Sequence, residues 1–481
     1  MATSIKKNAT YNLVKIIFSI AFPLLTTPYV LRILQPENFG KVNFTLSVIS
    51  YFSLIATLGV SVYGIRECSA VKNDKSKLDL IASQIFSISV ITAIISLILL
   101  FLSVFFIPKL TEYCLLFAIE SLSIVFVVLG ADWLNTSMSD FKYITIRTVV
   151  FQILSLIFIF LLVKDKSDYV IYVCILIFST CGANALNIFY RRHFCSIRFT
   201  FSLDLRKHLP PIFSLFALQV SQAILLNIDT TMLGFFLGDY YVGLYGVPIK
   251  IIAIAAQIVA SITWVVLPLL SKSYADGNYQ VFNDTLHKTL NFTVTLTVPC
   301  VIGLILLSEE IVVSLGGIEY QKSAVCLIIF AIVLIYDLGV NNLYGNCVLL
   351  TTKSEKIFCH ACFVAMLFNI IGNYYLIPIY GIVGAALSTA SSKLLISLIV
   401  IQNRNKRISF NASIRTFLSP IVGGIAVGLV CLIVKYFISN LYLILLISFI
   451  ISVITYFMIQ LLLKNEIVSE YYSSFKKRFL N

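Results

Sequence analysis

Residues 79–107 read DLIASQIFSISVITAIISLILLFLSVFFI, and after Asp79 no charged side chain interrupts them. A bilayer core about 30 Å thick needs roughly 20 apolar residues at a helical rise of 1.5 Å. This stretch is long enough for one crossing and has no polar face to offer water. Outward from it the pattern repeats along the chain, in apolar segments broken by short polar loops. Hydrophobic residues make up 59% and charged residues only 12%, with a mean hydropathy of +0.97. A soluble chain carries about twice that charge. With no water to pair the backbone, only helices or closed barrels cross a membrane. The segments are too long and too evenly apolar for the alternating barrel strands of about 10 residues. The fold class is therefore an all-α polytopic membrane protein.

Fourteen helices are expected. The first seven lie near 12–34, 42–65, 79–107, 113–135, 143–163, 169–190 and 210–237. The others lie near 241–270, 285–307, 323–350, 357–378, 380–402, 416–438 and 441–463. Very short turns around Gly40, Gly238 and Gly381 predict helical hairpins. An even count puts both termini on one side, and that side collects 26 of the 35 Lys and Arg residues. They run from Lys6, Lys7 and Lys15 through Arg147, Arg191 and Arg404 to Lys476, Lys477 and Arg478. The opposite side holds six: Lys41, Lys109, Lys164, Lys166, Lys322 and Lys435. The bias places both termini in the cytoplasm. It also accounts for the net charge of +13, because basic loops orient the chain and lie against anionic headgroups. No nucleic-acid partner is needed. The amino-terminal apolar stretch carries Lys15 and Pro28 and is read as a retained helix, not a signal peptide.

The connection around 191–208 divides the chain into a lobe at 1–200, a second at 201–405, and an appended helix pair with its tail at 406–481. The halves echo each other. Leu34-Gln35-Pro36-Glu37-Asn38-Phe39-Gly40 aligns with Leu237-Gly238-Asp239-Tyr240-Tyr241-Val242-Gly243 at an offset of 203 residues. Six plus six helices in parallel orientation is a transporter plan. Pro23, Pro28, Pro248, Pro268 and Pro299 each remove a helical hydrogen bond and read as kinks. The 11 cysteines are scattered as small buried hydrophobes. Cys359-His360-Ala361-Cys362 has nothing elsewhere to complete a four-coordinate site, so no metal and no cofactor are expected. No nucleophile, paired base or nucleotide-binding lysine loop emerges, so the chain is read as a transporter and not an enzyme.

The informative residues are charges where the membrane disfavours them, each costing about 2.5–3.5 kcal/mol at the centre. Lys250, Asp337 and Lys393 are deep; Arg32, Glu120, Asp132 and Asp229 lie nearer helix ends. Lys250 sits about 15 Å along its helix and Lys393 about 20 Å. Either lysine can be explained structurally, Lys250 by pairing with Asp337 or Asp229, Lys393 by a helix contact through Ser388, Thr389, Ser391 and Ser392. The preferred reading is a cationic cavity that attracts an anion, with Asp229, Asp337 and Glu120 as charge-pairing or coupling carboxylates.

Several motifs together resemble the Wzx-type flippases for O-antigen or capsule repeat units, of the multidrug/oligosaccharidyl-lipid/polysaccharide superfamily. Pro28-Tyr29-Val30-Leu31-Arg32-Ile33-Leu34, then Glu37-Asn38-Phe39-Gly40, is similar to that family's first-helix signature. Leu58-Gly59-Val60 with Tyr63-Gly64-Ile65-Arg66-Glu67 also resembles it. So do Asp132-Trp133-Leu134 and Phe141-Lys142-Tyr143-Ile144. Asp229, Met232-Leu233-Gly234, Val242-Gly243-Leu244-Tyr245 and Lys250 look like its seventh and eighth helices. Tyr380-Gly381-Ile382-Val383-Gly384-Ala385-Ala386 looks like the start of its twelfth. The resemblance covers roughly 10–405. It implies a multi-pass protein of the bacterial inner membrane that translocates undecaprenyl-diphosphate-linked oligosaccharide by alternating access. Lys250, Lys393 and Arg32 would then meet the diphosphate, and the pathway's polymerase and chain-length machinery would be partners. A cation-coupled multidrug exporter is the alternative, but it favours deep carboxylates over deep lysines.

Overall fold

Apolar segments that meet no water must close their own backbone hydrogen bonds. In the computed structural model they do so as helices, and no strand occurs among the described residues. The structure describes residues 2–403, 408, 414–470 and 473; for 2–9, 13, 214, 215, 218, 264, 414 and 415 it describes the backbone alone. The side chains of Lys6, Lys7, Arg404, Lys406, Arg407, Arg415, Lys476, Lys477 and Arg478, counted above, lie outside the described ones. Twelve helical stretches among the described residues are long and apolar enough to cross a membrane.

The chain divides into two units, Met1–Gly243 and Leu244–Asn481. In the first, α1 spans Ala2–Thr57, α2 Val60–Ala70, α3 Lys75–Phe106, α4 Pro108–Thr111, α5 Cys114–Gly130 and α6 Asp132–Ser137. They are followed by α7 (Phe141–Leu162), α8 (Tyr169–Tyr190) and α9 (Leu205–Phe236). The 56 residues of α1 are two helices joined at Gln35, whose φ of 61° and ψ of 170° are not helical. The sequence reading placed this reversal at Gly40. It begins earlier because the residue before a proline avoids helical geometry, while Pro36 suits the first position of the next helix. The expected helix at 42–65 breaks at Leu58 and Gly59, both left-handed, and that at 113–135 breaks at left-handed Ala131. Asp74 and Asp140 cap α3 and α7 by accepting from the Lys77 and Tyr143 amides. At one end of the unit, Tyr63, Ile85, Phe86, Trp133, Leu134 and Ile212 share a buried core. Gly64 admits the Trp133 ring there, since a Cβ would overlap it.

The second unit takes α10 (Asp239–Ala275) from Leu244 onward, then α11 (Tyr279–Leu306), α12 (Ser308–Gly316) and α13 (Ala324–Tyr336). A π-helix covers Asp337–Val348 and passes into α14 (Leu349–Thr351). The unit closes with α15 (Glu355–Tyr380), α16 (Ile382–Gln402), α17 (Ile414–Phe437) and α18 (Leu441–Leu462). The expected helix at 323–350 is thus α-helical at its two ends and π-helical between. Val259, Val301, Ala331, Leu334 and Leu338 bring α10, α11, α13 and the π-helix together. Leu307, Val427, Cys431 and Ile444 bind α17 and α18 to the end of α11.

Candidate functional site

The π-helix starts where the membrane-disfavoured carboxylate stands. Wide π turns are uncommon and recur at functional sites. Asp337 Oδ2 lies 2.7 Å from Lys393 Nζ on α16, an ion pair whose side chains keep 22% and 31% exposure. Asn341 Nδ2, one turn on, donates to Asp337 Oδ1 (3.0 Å) and to the Lys393 carbonyl oxygen (3.0 Å). Its Oδ1 accepts from Ser397 Oγ at 2.9 Å. Both ends of the Asn341 amide are therefore used to fasten the π-helix to α16. The Tyr336 hydroxyl adds a bond to the Ala390 carbonyl oxygen at 2.7 Å. Neither side chain of the pair is fully enclosed by its neighbours.

The polar stripe beside Lys393 has a structural use. Asn369 on α15 donates to Ser388 and Thr389 at 3.2 Å each, while Ser391 and Ser392 bond to carbonyls of their own helix. Lys250 is partly buried on α10, two residues before Ile252, which packs on the core of α11, α13 and the π-helix. Asp337 pairs with Lys393 and accepts from Asn341. On the other flank of the π-helix, Tyr336, Gly339 and Tyr344 line an apolar cleft of about 580 Å³ with Val298 and Phe417.

Arg32, Glu120 and Asp229 belong to the first unit. Arg32 is exposed on α1, and Asp229 is buried on α9. Glu120 is fully buried on α5; its Oε1 accepts from Thr45 Oγ1 at 2.7 Å, and its Oε2 has no hydrogen-bond partner among the described residues.

Two further polar clusters in this unit escaped the sequence reading. Arg147, counted above as a loop cation, is buried in α7 and paired with Asp132. Asn187 Nδ2 reaches Asp132 Oδ1 (3.1 Å), Asn135 Oδ1 (2.9 Å) and the Gly130 carbonyl oxygen (2.7 Å). Arg191 likewise turns inward and donates to the Leu129 carbonyl oxygen at 2.6 Å. These cations hold helix breaks together where α5 ends at Ala131. The signal for Arg147 was present, an Asp and an Arg 15 residues apart at facing helix ends, but proximity to a loop concealed it. The second cluster joins α2, α3 and α9. Gln84 Nε2 donates to the Ser202 carbonyl oxygen at 2.9 Å, so its Oε1 accepts from His208 Nε2 at 3.0 Å. His208 Nδ1 is then the acceptor for the Tyr63 hydroxyl at 2.8 Å. His208 precedes the apolar span that starts at 210, and burial lowers its pKa from the ordinary histidine value.

Comparison with known proteins gives a consistent result. A family model described as "Polysaccharide biosynthesis protein" matches residues 5–274, and one described as "Lipid II flippase MurJ" matches 205–455. A protein of Escherichia coli (strain K12) assigned as an O-antigen transporter is 23% identical, over 84% of this chain and 98% of its own length. The capsular polysaccharide biosynthesis protein CapF of Staphylococcus aureus is 24% identical, over 80% of this chain and 96% of its own. Among solved structures, the lipid II flippase MurJ in an inward closed conformation matches with a TM-score of 0.73 at 19% identity. That match covers 98% of this chain and 99% of the other.

Proposed function

The chain belongs to the polysaccharide biosynthesis protein family of the multidrug/oligosaccharidyl-lipid/polysaccharide superfamily, and from that premise we propose that it is a flippase for undecaprenyl-diphosphate-linked oligosaccharide. The observation that carries this reading is the accessible Lys393–Asp337 pair at the start of the π-helix. A diphosphate is a stronger partner for an ammonium than a single carboxylate, so it takes Lys393 and releases Asp337. The released carboxylate then binds a proton or a cation, which ties cargo binding to the ion gradient. Lys250 and Arg32 supply further positive charge to the headgroup, and Glu120 and Asp229 are the other coupling carboxylates. The apolar cleft beside Tyr336 and Tyr344 suits hydrocarbon, as a prenyl tail requires.

The proposed arrangement is two six-helix lobes, 1–200 and 201–405, with 406–481 appended, and both termini in the cytoplasm of a bacterial inner membrane. Fourteen crossings follow if the 61-residue stretch Thr10–Ala70 crosses twice about Gln35 and α9, which is not among the twelve candidate stretches, crosses once. Alternating access moves the headgroup between leaflets. The polymerase and chain-length machinery would take the product on the outer face. The test is deletion of the gene with analysis of lipid-linked sugars. Accumulation of one oligosaccharide on the cytoplasmic face, cleared by wild type and not by Lys393→Ala at equal expression, is expected. An unchanged lipid-linked pool, with altered efflux of cationic drugs, would overturn the reading.

A further inference from the structure

We infer that a phospholipid site lies between α10 and α11, beside the end of α18, and that it takes a lipid whose headgroup carries both a phosphate and an ammonium. All its residues belong to the second unit. α10 and α11 follow one another in the chain and meet at two levels. Beside their turn, the Tyr274 ring meets those of Tyr279 and Phe282, each at 5.9 Å between centroids. Far from the turn, Val259 and Val301 share a buried core. Between these levels the helices leave a cavity of about 540 Å³. Ile262, Val266 and Leu269 recur at helical spacing on one face of α10 and form one wall; Phe292 on α11 adds to a second.

The chain after α18 supplies the third wall. Lys464 takes a left-handed φ of 53°, which turns the backbone out of the helix. Asn465 caps the next turn, its Oδ1 accepting from the Ile467 and Val468 amides at 3.1 and 3.4 Å. Its Nδ2 donates to Ser419 Oγ on α17 (3.0 Å) and to Thr295 Oγ1 on α11 (3.3 Å). Ile467 and Glu470 are thereby set against the cavity.

Polarity runs one way along this space. Thr285 and Lys288 line it toward the α10–α11 turn, whereas Ile262 and Phe292 line it further from the turn. Residues 289–306 of α11 carry no charge, and at 1.5 Å per residue they span about 27 Å, close to the thickness of hydrocarbon. α18 is likewise uncharged until Lys464. Lys288 and Glu470 therefore stand where headgroups meet acyl chains. They are the charged groups among the described lining residues. Their ion pair is loose, at 3.6 Å with the side chains 61% and 63% exposed, and such a pair holds weakly. A zwitterionic headgroup satisfies both members at once, its phosphate on Lys288 and its ammonium on Glu470, while the acyl chains follow the apolar walls. An acidic phospholipid would meet Lys288 and set a like charge beside Glu470. The site rests on the proposed orientation only for its leaflet, the cytoplasmic one.

The test is native mass spectrometry of the full-length chain, freed of lipid in detergent and offered phosphatidylethanolamine and phosphatidylglycerol in equal amounts. Wild type should retain phosphatidylethanolamine over phosphatidylglycerol by about threefold or more. Glu470→Gln should abolish or reverse that preference, and Lys288→Gln should lower retention of both lipids. Both side chains are exposed, so either variant that keeps the wild-type melting temperature decides. Equal retention of the two lipids by wild type would overturn the site, and so would a preference unchanged in the folded variants; the bound lipid would then be annular. No cargo enters this measurement, so the lipid site and the flippase reading fail separately.

Discussion

Lys393 and Asp337 were visible in the sequence because each interrupts an apolar run, and hydrocarbon makes such interruptions costly. Their partnership was not visible, since they stand 56 positions apart with a helical hairpin involved. Asn341 uses both ends of its side chain to hold the pair. Removing either charge should cost about 1–3 kcal/mol, between the exposed and fully buried limits for ion pairs. Lys393→Ala combined with Asp337→Ala should cost less than the sum of the single changes, as thermal unfolding in detergent would reveal. Additive losses would mean that the two side chains do not interact. Arg147 makes the opposite point. It was counted as a loop cation but is among the most buried charges of the described residues. Arg147→Ala should destabilise by about 3 kcal/mol, because Asp132 and the Ala183 carbonyl lose a donor together. A loss of less than a few tenths would contradict the assigned contacts.

At the scale of elements, hydropathy located the apolar segments, because helix length is set by membrane thickness. It could not find the breaks at Leu58–Gly59 and Ala131, which are events of backbone dihedral alone. Nor could it separate α from π winding, since Asp337–Val348 keeps the composition of a membrane helix at its flanks. The connection after α8 is another element that composition left blank. Its amides at Ser196, Arg198 and Thr200 donate to Asp79, Ser83 and Ser87, one helical turn apart on α3, at 2.8–3.0 Å. Ser83→Ala and Ser87→Ala should each remove about 1 kcal/mol. Together they should hasten tryptic cleavage at Arg198 and Arg206; an unchanged cleavage rate would count against the pinning. The same region predicts a pH response. In the fold His208 stays neutral, with its pKa held below the ordinary value of about 6.5. The unfolded chain therefore binds the proton first on acidification. The stabilising contribution is complete above the ordinary value and is lost as pH falls through it toward the lowered one. The melting temperature should drop across that window more steeply in wild type than in His208→Asn. Parallel curves would remove His208 from the account.

For the whole molecule, the fold class and the family followed from composition, segment length and a few motifs, because a bilayer permits so few architectures. The repeat offset of 203 residues was also legible. The proposed substrate chemistry rests on the sign of the deep charges and no further, since sugars are read by dispersed polar groups without a pattern. The claim on which the rest depends is that deep cations carry a diphosphate headgroup across the bilayer. Its most direct measurement is translocation of undecaprenyl-diphosphate-linked oligosaccharide, labelled on its sugar, in proteoliposomes of the purified chain. Wild type should move the label between leaflets, and Lys250→Ala with Lys393→Ala should slow it by about tenfold or more. Full-rate movement by that double variant at equal reconstitution, or none by wild type, would contradict the account.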